Sequence, residues 1–410
     1  MKNQIFKNTS ILLLSQSIGK VSSFFYTVFL VKNLNVENFG FYILALSYFS
    51  IFSAIADFGF SRFLIRESIQ KVASLPSLIS NILVLRIILT VFSLVFFSFS
   101  LRLLDHDSLR VNLILLSVLA VLPQTLALTL DSSIIALQKF SVSALGILVL
   151  NLANIIFGVY LVILNHQSYS PILAIFLSQF IYLLFFLFIS YREKIFVNIS
   201  LNFKLMKNIL VGSLPYGILT ILGLIYLKVD TLVLAYLTNS YSVGIYGAGY
   251  KFLEAALIIP STTSIVLFPI LSGLTKKSQS TYQFHLKTLF VLFGISVICM
   301  AFFIWVLPIL IYLIIPKYIS SISVVKILGL SLPFFFMNAP QAALLLSQKR
   351  FLNSLILIST GVIAFNFILN FSFIPKYSYL ASAWVTVLTE ILIFVIFFFI
   401  IRKNFQKKQS

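Results

Sequence analysis

The chain has 410 residues, of which 60% are hydrophobic, 16% aromatic and only 10% charged. A soluble domain carries about 25% charged residues, so an ordinary water-soluble enzyme is excluded at once. The charge is also lopsided, with 29 Lys plus Arg against 10 Asp plus Glu and a net of +19. In so apolar a chain that excess must first be tested against membrane topology, because cytoplasmic loops collect Lys and Arg.

The N-terminus begins as a signal peptide would, with Lys2 and Lys7 ahead of Ile11-Leu12-Leu13-Leu14. Ser15, Gln16, Ser17 and Lys20 interrupt that run and no small-residue cleavage site follows, so it reads as a retained first membrane helix. Apolar stretches then recur, giving spans near 10–31, 39–60, 78–101, 111–132, 141–164, 171–190, 209–237, 243–268, 288–311, 322–346, 352–374 and 379–401. Each suits a helix crossing about 30 Å of hydrocarbon at about 1.5 Å per residue. The breaks are too short for a folded extramembrane domain, so function is expected inside the bundle. Twelve spans put both termini on one side. Nineteen cations lie on that side, including Lys2, Arg66, Lys139, Lys276 and Arg402, against Lys32, Arg102, Arg110, Lys317 and Lys376 on the other. Both termini are therefore expected in the cytoplasm.

Two echoes link the halves. Leu122-Pro123 followed by Gln138-Lys139 returns as Leu332-Pro333 followed by Gln348-Lys349, and Gly40-Phe41-Tyr42 returns as Gly244-Ile245-Tyr246. Both map spans one to six onto seven to twelve. The expected fold is therefore all-α, with two six-helix lobes related by a pseudo-two-fold axis along the membrane normal, an arrangement used by transporters. The lobes are set at 1–190 and 208–410, with 191–207 as a cytoplasmic linker.

Five cations fall within the spans: Lys20, Arg86, Lys228, Lys251 and Lys326. Asp230, Glu254 and Glu390 accompany them, with Asp57 near the end of span two. A charge at a helix centre costs about 2.5–3.5 kcal/mol even on a lenient insertion scale, so these groups should face water or a partner. Gln16, Lys20, Ser23 and Thr27 form one helical stripe, and Ser213, Tyr216, Thr220 and Gly223 another that Asp230 continues. Lys251 and Glu254 are in reach as an i,i+3 pair. Asn154, Asn366 and Asn370 serve either hydration and sugar contact or helix-to-helix hydrogen bonding, the second being the commoner use. Surplus cation in a wet lumen favours an anionic substrate such as a phosphate or pyrophosphate. Asp57, Asp230, Glu254 and Glu390 are the candidates for charge pairing or for coupling to H⁺ or Na⁺. Prolines 123, 215, 260, 308, 333 and 340 mark expected bends.

Other chemistries find no footing. Cys299 is the sole cysteine, and His106, His166 and His285 lie far apart with no metal-ligand spacing. Gly19-Lys20 lacks the glycine-rich phosphate loop, and no Ser-His-Asp arrangement emerges. Catalysis, a bound cofactor and nucleic-acid binding are not expected.

Asn38-Phe39-Gly40-Phe41-Tyr42, Asp57-Phe58-Gly59-Phe60-Ser61-Arg62, Leu214-Pro215, Asp230 and Val243-Gly244-Ile245-Tyr246 with Tyr250 resemble the Wzx-type flippases of the multidrug/oligosaccharidyl-lipid/polysaccharide exporter superfamily. The resemblance implies a bacterial inner-membrane protein that moves an undecaprenyl-diphosphate-linked oligosaccharide from the cytoplasmic to the periplasmic leaflet by alternating access. It marks Asp57, Arg62, Asp230, Gly40, Gly244 and Tyr246 as motif positions. Its partners would be the lipid-linked oligosaccharide, membrane lipids, and a polysaccharide polymerase with chain-length machinery. Multidrug or cation efflux within the superfamily, and a non-transport scaffold for glycan assembly, are the competing readings.

Overall fold

A computed structural model describes residues 2–70, 75–105, 107–193, 195, 201–264, 267 and 278–405. Every long regular element among them is helical: α1 Lys2–Asn33, α2 Val36–Asp57, α3 Phe60–Gln70, α4 Leu75–Leu104, α5 Ser108–Leu119, α6 Val121–Ala136, α7 Phe140–Asn165, α8 Tyr169–Arg192, α9 Phe203–Leu237, α10 Ser240–Ala256, α11 Ser278–Ala301, α12 Leu307–Ile314, α13 Ser321–Gly329, α14 Leu332–Leu346, α15 Leu352–Tyr377 and α16 Tyr379–Phe405. Among the described residues nine helices are long and apolar enough to cross a membrane, or ten if the bent pair α13–α14 is one span. The sequence set twelve. The first falls on α1, whose Gln16, Lys20 and serines dilute its apolarity. The eighth falls on α10, and its expected end at residues 265, 266 and 268 lies outside the described residues. So do part of the expected linker (194 and 196–200) and Lys71, His106, Lys276 and Lys277.

The Leu-Pro echo has a structural counterpart. Span four is broken at Ala120, just before Leu122-Pro123, and span ten bends by 49° between α13 and α14, just before Leu332-Pro333. Proline has no N–H and fits only the first turn of a helix without loss, so each pair restarts a helix after a break. Near Pro308 the chain runs through a π-helical turn, Phe302–Val306, which absorbs the missing backbone donor.

Packing divides the chain into two compact units, one of residues 1–34 and 41–228 and the other of 35–40 and 229–410. The division falls inside α9, not at 191–207. The reason is apolar: Met206 and Ile209 of α9 are buried in one cluster with Phe60, Phe63, Leu64 and Leu78. In the second unit the start of α2 lies against the start of α10. A Cβ on Gly40 would overlap the Ser240 carbonyl oxygen, and one on Gly244 would overlap the Val36 carbonyl oxygen. Residues 36 and 240, and 40 and 244, are related by the same shift as the second echo, so each glycine packs on the carbonyl at the start of the other's helix.

Candidate functional site

Three polar groupings are built from the expected residues. The first is in the unit of residues 1–34 and 41–228. There α2 ends at Asp57 and the chain turns sharply through Phe58 and Gly59, with φ of 43° and 78°. Only glycine adopts such a φ without strain, and a Cβ at Gly59 would also press within 2.7 Å of the Ser213 carbonyl of α9. The turn delivers Asp57 and Ser61 to Arg86 of α4, whose side chain is wholly buried. Arg86 donates to the Asp57 carboxylate, to Ser61 Oγ at 2.7 Å and to the Thr125 carbonyl at 2.6 Å, while Ser61 Oγ donates to Asp57 at 2.5 Å. Arg86, expected as a lumen cation with no partner on its own span, is instead a clasp joining α2, α3, α4 and α6. Arg62 is exposed, and Arg66 donates to Tyr216 Oη at 3.1 Å.

The second grouping is a pocket in the other unit. Asp230 is buried near the end of α9 and accepts from Asn370 Nδ2 at 2.6 Å, Thr386 Oγ1 at 3.0 Å and Tyr246 Oη at 3.2 Å. Asn370 Nδ2 also donates to Asn366 Oδ1 at 2.8 Å, and Asn366 Nδ2 lies 3.4 Å from Thr389 Oγ1. Asn370 Oδ1 is buried without a hydrogen-bond partner. The sequence named Asp230, Tyr246, Asn366 and Asn370 separately; three helices bring them to one place, and Thr386 of a fourth joins them. Three donors thus converge on one buried carboxylate, beside one unused buried acceptor.

The third follows α10. Lys251 and Glu254 make the expected i,i+3 pair at 2.6 Å. Glu390 of α16 is buried and accepts from Asn338 Nδ2 of α14 at 2.7 Å.

The remaining residues are not gathered into these groups. Lys20 is exposed on α1 with Gln16 and Ser23, opposite buried Ser15 and Gly19. Lys228 is half-buried, and Lys326 is exposed opposite buried Val324 and Val325 of α13. Thr220 bonds back to the Tyr216 carbonyl at 2.8 Å, and half-buried Asn154 leaves Oδ1 without a hydrogen bond. Sequence reasoning passed over Asp131, a buried carboxylate on α6 that accepts from Tyr182 Oη at 3.3 Å while its Oδ1 finds no donor. The Leu-Pro echo was the signal, because it pairs Asp131 with Gln341, also buried.

Residues 5–275 match the family described as polysaccharide biosynthesis protein. The chain belongs to that family. No curated protein matches the sequence. Among solved structures it is similar to a lipid II flippase, MurJ, in an inward closed conformation, at 16% identity and a TM-score of 0.77 over 97% of this chain and 89% of that one. It is similar also to an inward-facing multidrug resistance MATE family transporter of the MOP superfamily, at 14% identity and a TM-score of 0.74 over 98% and 99%. A MOP superfamily transporter from Pyrococcus furiosus matches at 14% identity and a TM-score of 0.68, over 98% and 96%. The family member thus has the fold of these transporters and is built from membrane-crossing helices.

Proposed function

We propose that this polysaccharide biosynthesis protein is a flippase: it carries a lipid-diphosphate-linked oligosaccharide repeat unit from the cytoplasmic to the periplasmic leaflet of a bacterial inner membrane. The observation that carries the reading is membership of a polysaccharide biosynthesis family by a chain of apolar helices whose fold is that of a solved flippase and solved transporters. Such a chain contributes to a polysaccharide by moving its precursor. Lys20, with Gln16 and Ser23 beside it on α1, and Lys228 are the cations proposed to meet the diphosphate. Arg86 is spent on Asp57 and is withdrawn from that role. The Asp230 pocket is proposed to bind the coupling H⁺ or Na⁺. Both termini would face the cytoplasm, and a polymerase with its chain-length machinery would take the product. O-antigen, capsule or another surface glycan would be the destination.

Reconstitution in vesicles tests this. Protein-containing vesicles loaded with lipid-diphosphate-linked oligosaccharide on one leaflet should expose it to an impermeant glycosidase, and Lys20→Gln should slow that exposure. Unmoved glycolipid, together with cation-driven extrusion of a cationic dye, would refute the flippase and favour efflux. Asp230 is 4% exposed and fully engaged, which fits a small ion better than a drug.

A further inference from the structure

The groups around Asp230 and those along α10 form one column. Tyr246, Tyr250 and Glu254 are spaced by four, so they share a face of α10 over about 12 Å at about 1.5 Å per residue. Thr386 and Glu390 repeat that spacing on α16. At the first level Tyr246 Oη meets both Asp230 and Thr386 Oγ1, the latter at 3.3 Å. One turn further along both helices stand Tyr250, its ring tilted against that of Tyr246 with 5.5 Å between centroids, and Glu390. Tyr250 lies within electrostatic reach of Asp230, Glu390 and Glu254 together. At the third level is the Lys251–Glu254 pair, whose carboxylate side chain is 34% exposed.

The middle level holds buried polar atoms without hydrogen-bond partners. Asn338 gives its amide to Glu390 but leaves Oδ1 buried without a partner, and both polar atoms of Gln341 are buried without partners. Residues 338 and 341 are three apart and share a face of α14. Pro340 lies between them inside α14 and has no N–H for the Phe336 carbonyl. Buried polar atoms of this kind are normally satisfied, so the unused Asn338 Oδ1 beside the Glu390 carboxylate, with Gln341 on the same face of α14, points to a bound cation or its water.

We propose that the coupling cation reaches Asp230 along this column, from Glu254 to Glu390 and then to Asp230, with Asn338 and Gln341 holding it at the middle station. The proposal rests on the reading of Asp230 as the coupling site. A proton would pass from carboxyl to carboxylate at each step; Na⁺ would displace Lys251 from Glu254 and then take oxygen ligands from Glu390, Asn338 and Gln341. Of the elements packed around the column, α9 brings Asp230 and α11 brings buried His285, while α13 turns Lys326 away.

The test uses the full chain in lipid nanodiscs. Trp384 lies two residues before Thr386, so with Trp305→Phe as background its fluorescence reports occupancy. Na⁺ jumps at fixed pH, and pH jumps in choline, separate the two ions. Glu390→Gln should preserve the end point but slow relaxation about tenfold, the effect of roughly 1.4 kcal/mol on a barrier. Glu254→Gln, at a part-exposed site, should do the same and stands in if Glu390→Gln does not fold. Asp230→Asn should abolish the response. Wild-type rates in both glutamate variants, with Asp230→Asn silent, would overturn the column alone. A normal response in Asp230→Asn would overturn the coupling assignment and the column with it.

Discussion

Breaking the Arg86 clasp should reveal an asymmetry that burial dictates. Removing one partner of a buried ion pair costs about 3–5 kcal/mol, because the other charge is left behind. The two charges here are not left in equal places. With Asp57→Asn the Arg86 guanidinium keeps its charge in a site with 0% exposure, holding only neutral partners at Ser61 and the Thr125 carbonyl. That variant belongs at the upper end, about 4–5 kcal/mol. With Arg86→Met the Asp57 side chain is 18% exposed and still accepts from the Ser61 hydroxyl and, at 3.3 Å, from the Ser61 N–H. Partial screening and those two bonds bring the cost down to about 2–3 kcal/mol. The double variant leaves no charge behind and should cost less than the sum of the singles by about 2 kcal/mol or more. Reversible unfolding of the detergent-solubilised protein measures all three. Equal costs for the singles, or an additive double variant, would show that the clasp is not the buried pair described.

Three further outcomes follow from the packing. Gly40→Ala should destabilise the protein by about 1–3 kcal/mol or abolish its accumulation, because the new methyl meets a backbone carbonyl that cannot rotate away; size-exclusion yield reports it. Asp131→Asn should leave the unfolding midpoint unchanged or raise it, since the amide removes a carboxylate held by one long hydrogen bond; a fall of several degrees would mean that Asp131 has a stronger partner. Lys326→Gln should change stability by less than about 0.5 kcal/mol, because the side chain is exposed; a larger loss in the same unfolding assay would place Lys326 in a buried contact.

Much of this fold is legible in the sequence because the apolar runs are long. Among the described residues the expected spans fall on helices, some of them broken, and Leu122-Pro123 and Leu332-Pro333 mark two of the breaks. The Lys251–Glu254 pair could be read because both members lie on one helix three residues apart. Arg86 could not be read in the same way. Its partner is 29 residues away on another helix, and helical spacing carries no information across a turn. The Asp230 pocket was half visible: its residues stood out as polar groups in lipid, but their convergence depends on how α9, α10, α15 and α16 pack. Asp131 was missed because it lies near the end of its span, where a single acid reads as a solvated boundary. The division within α9 was hidden for a different reason. A polar stretch at 191–207 looks like a hinge, whereas the true division follows the apolar side chains Met206 and Ile209.

That division also governs how the gene could be cut. Each unit holds part of a helix whose remainder belongs to the other: residues 36–40 of α2, and the part of α9 that precedes Val229. Co-expressed fragments separated at 191–207 would therefore start life incomplete. The first would expose Phe60, Phe63 and Leu64 until Met206 and Ile209 arrived, and the second would lack Val36 and Gly40 for its Ser240 and Gly244 to close on. The two fragments would be obligate partners from synthesis onward, and a chimera that exchanged halves with a relative would have to exchange those pieces as well.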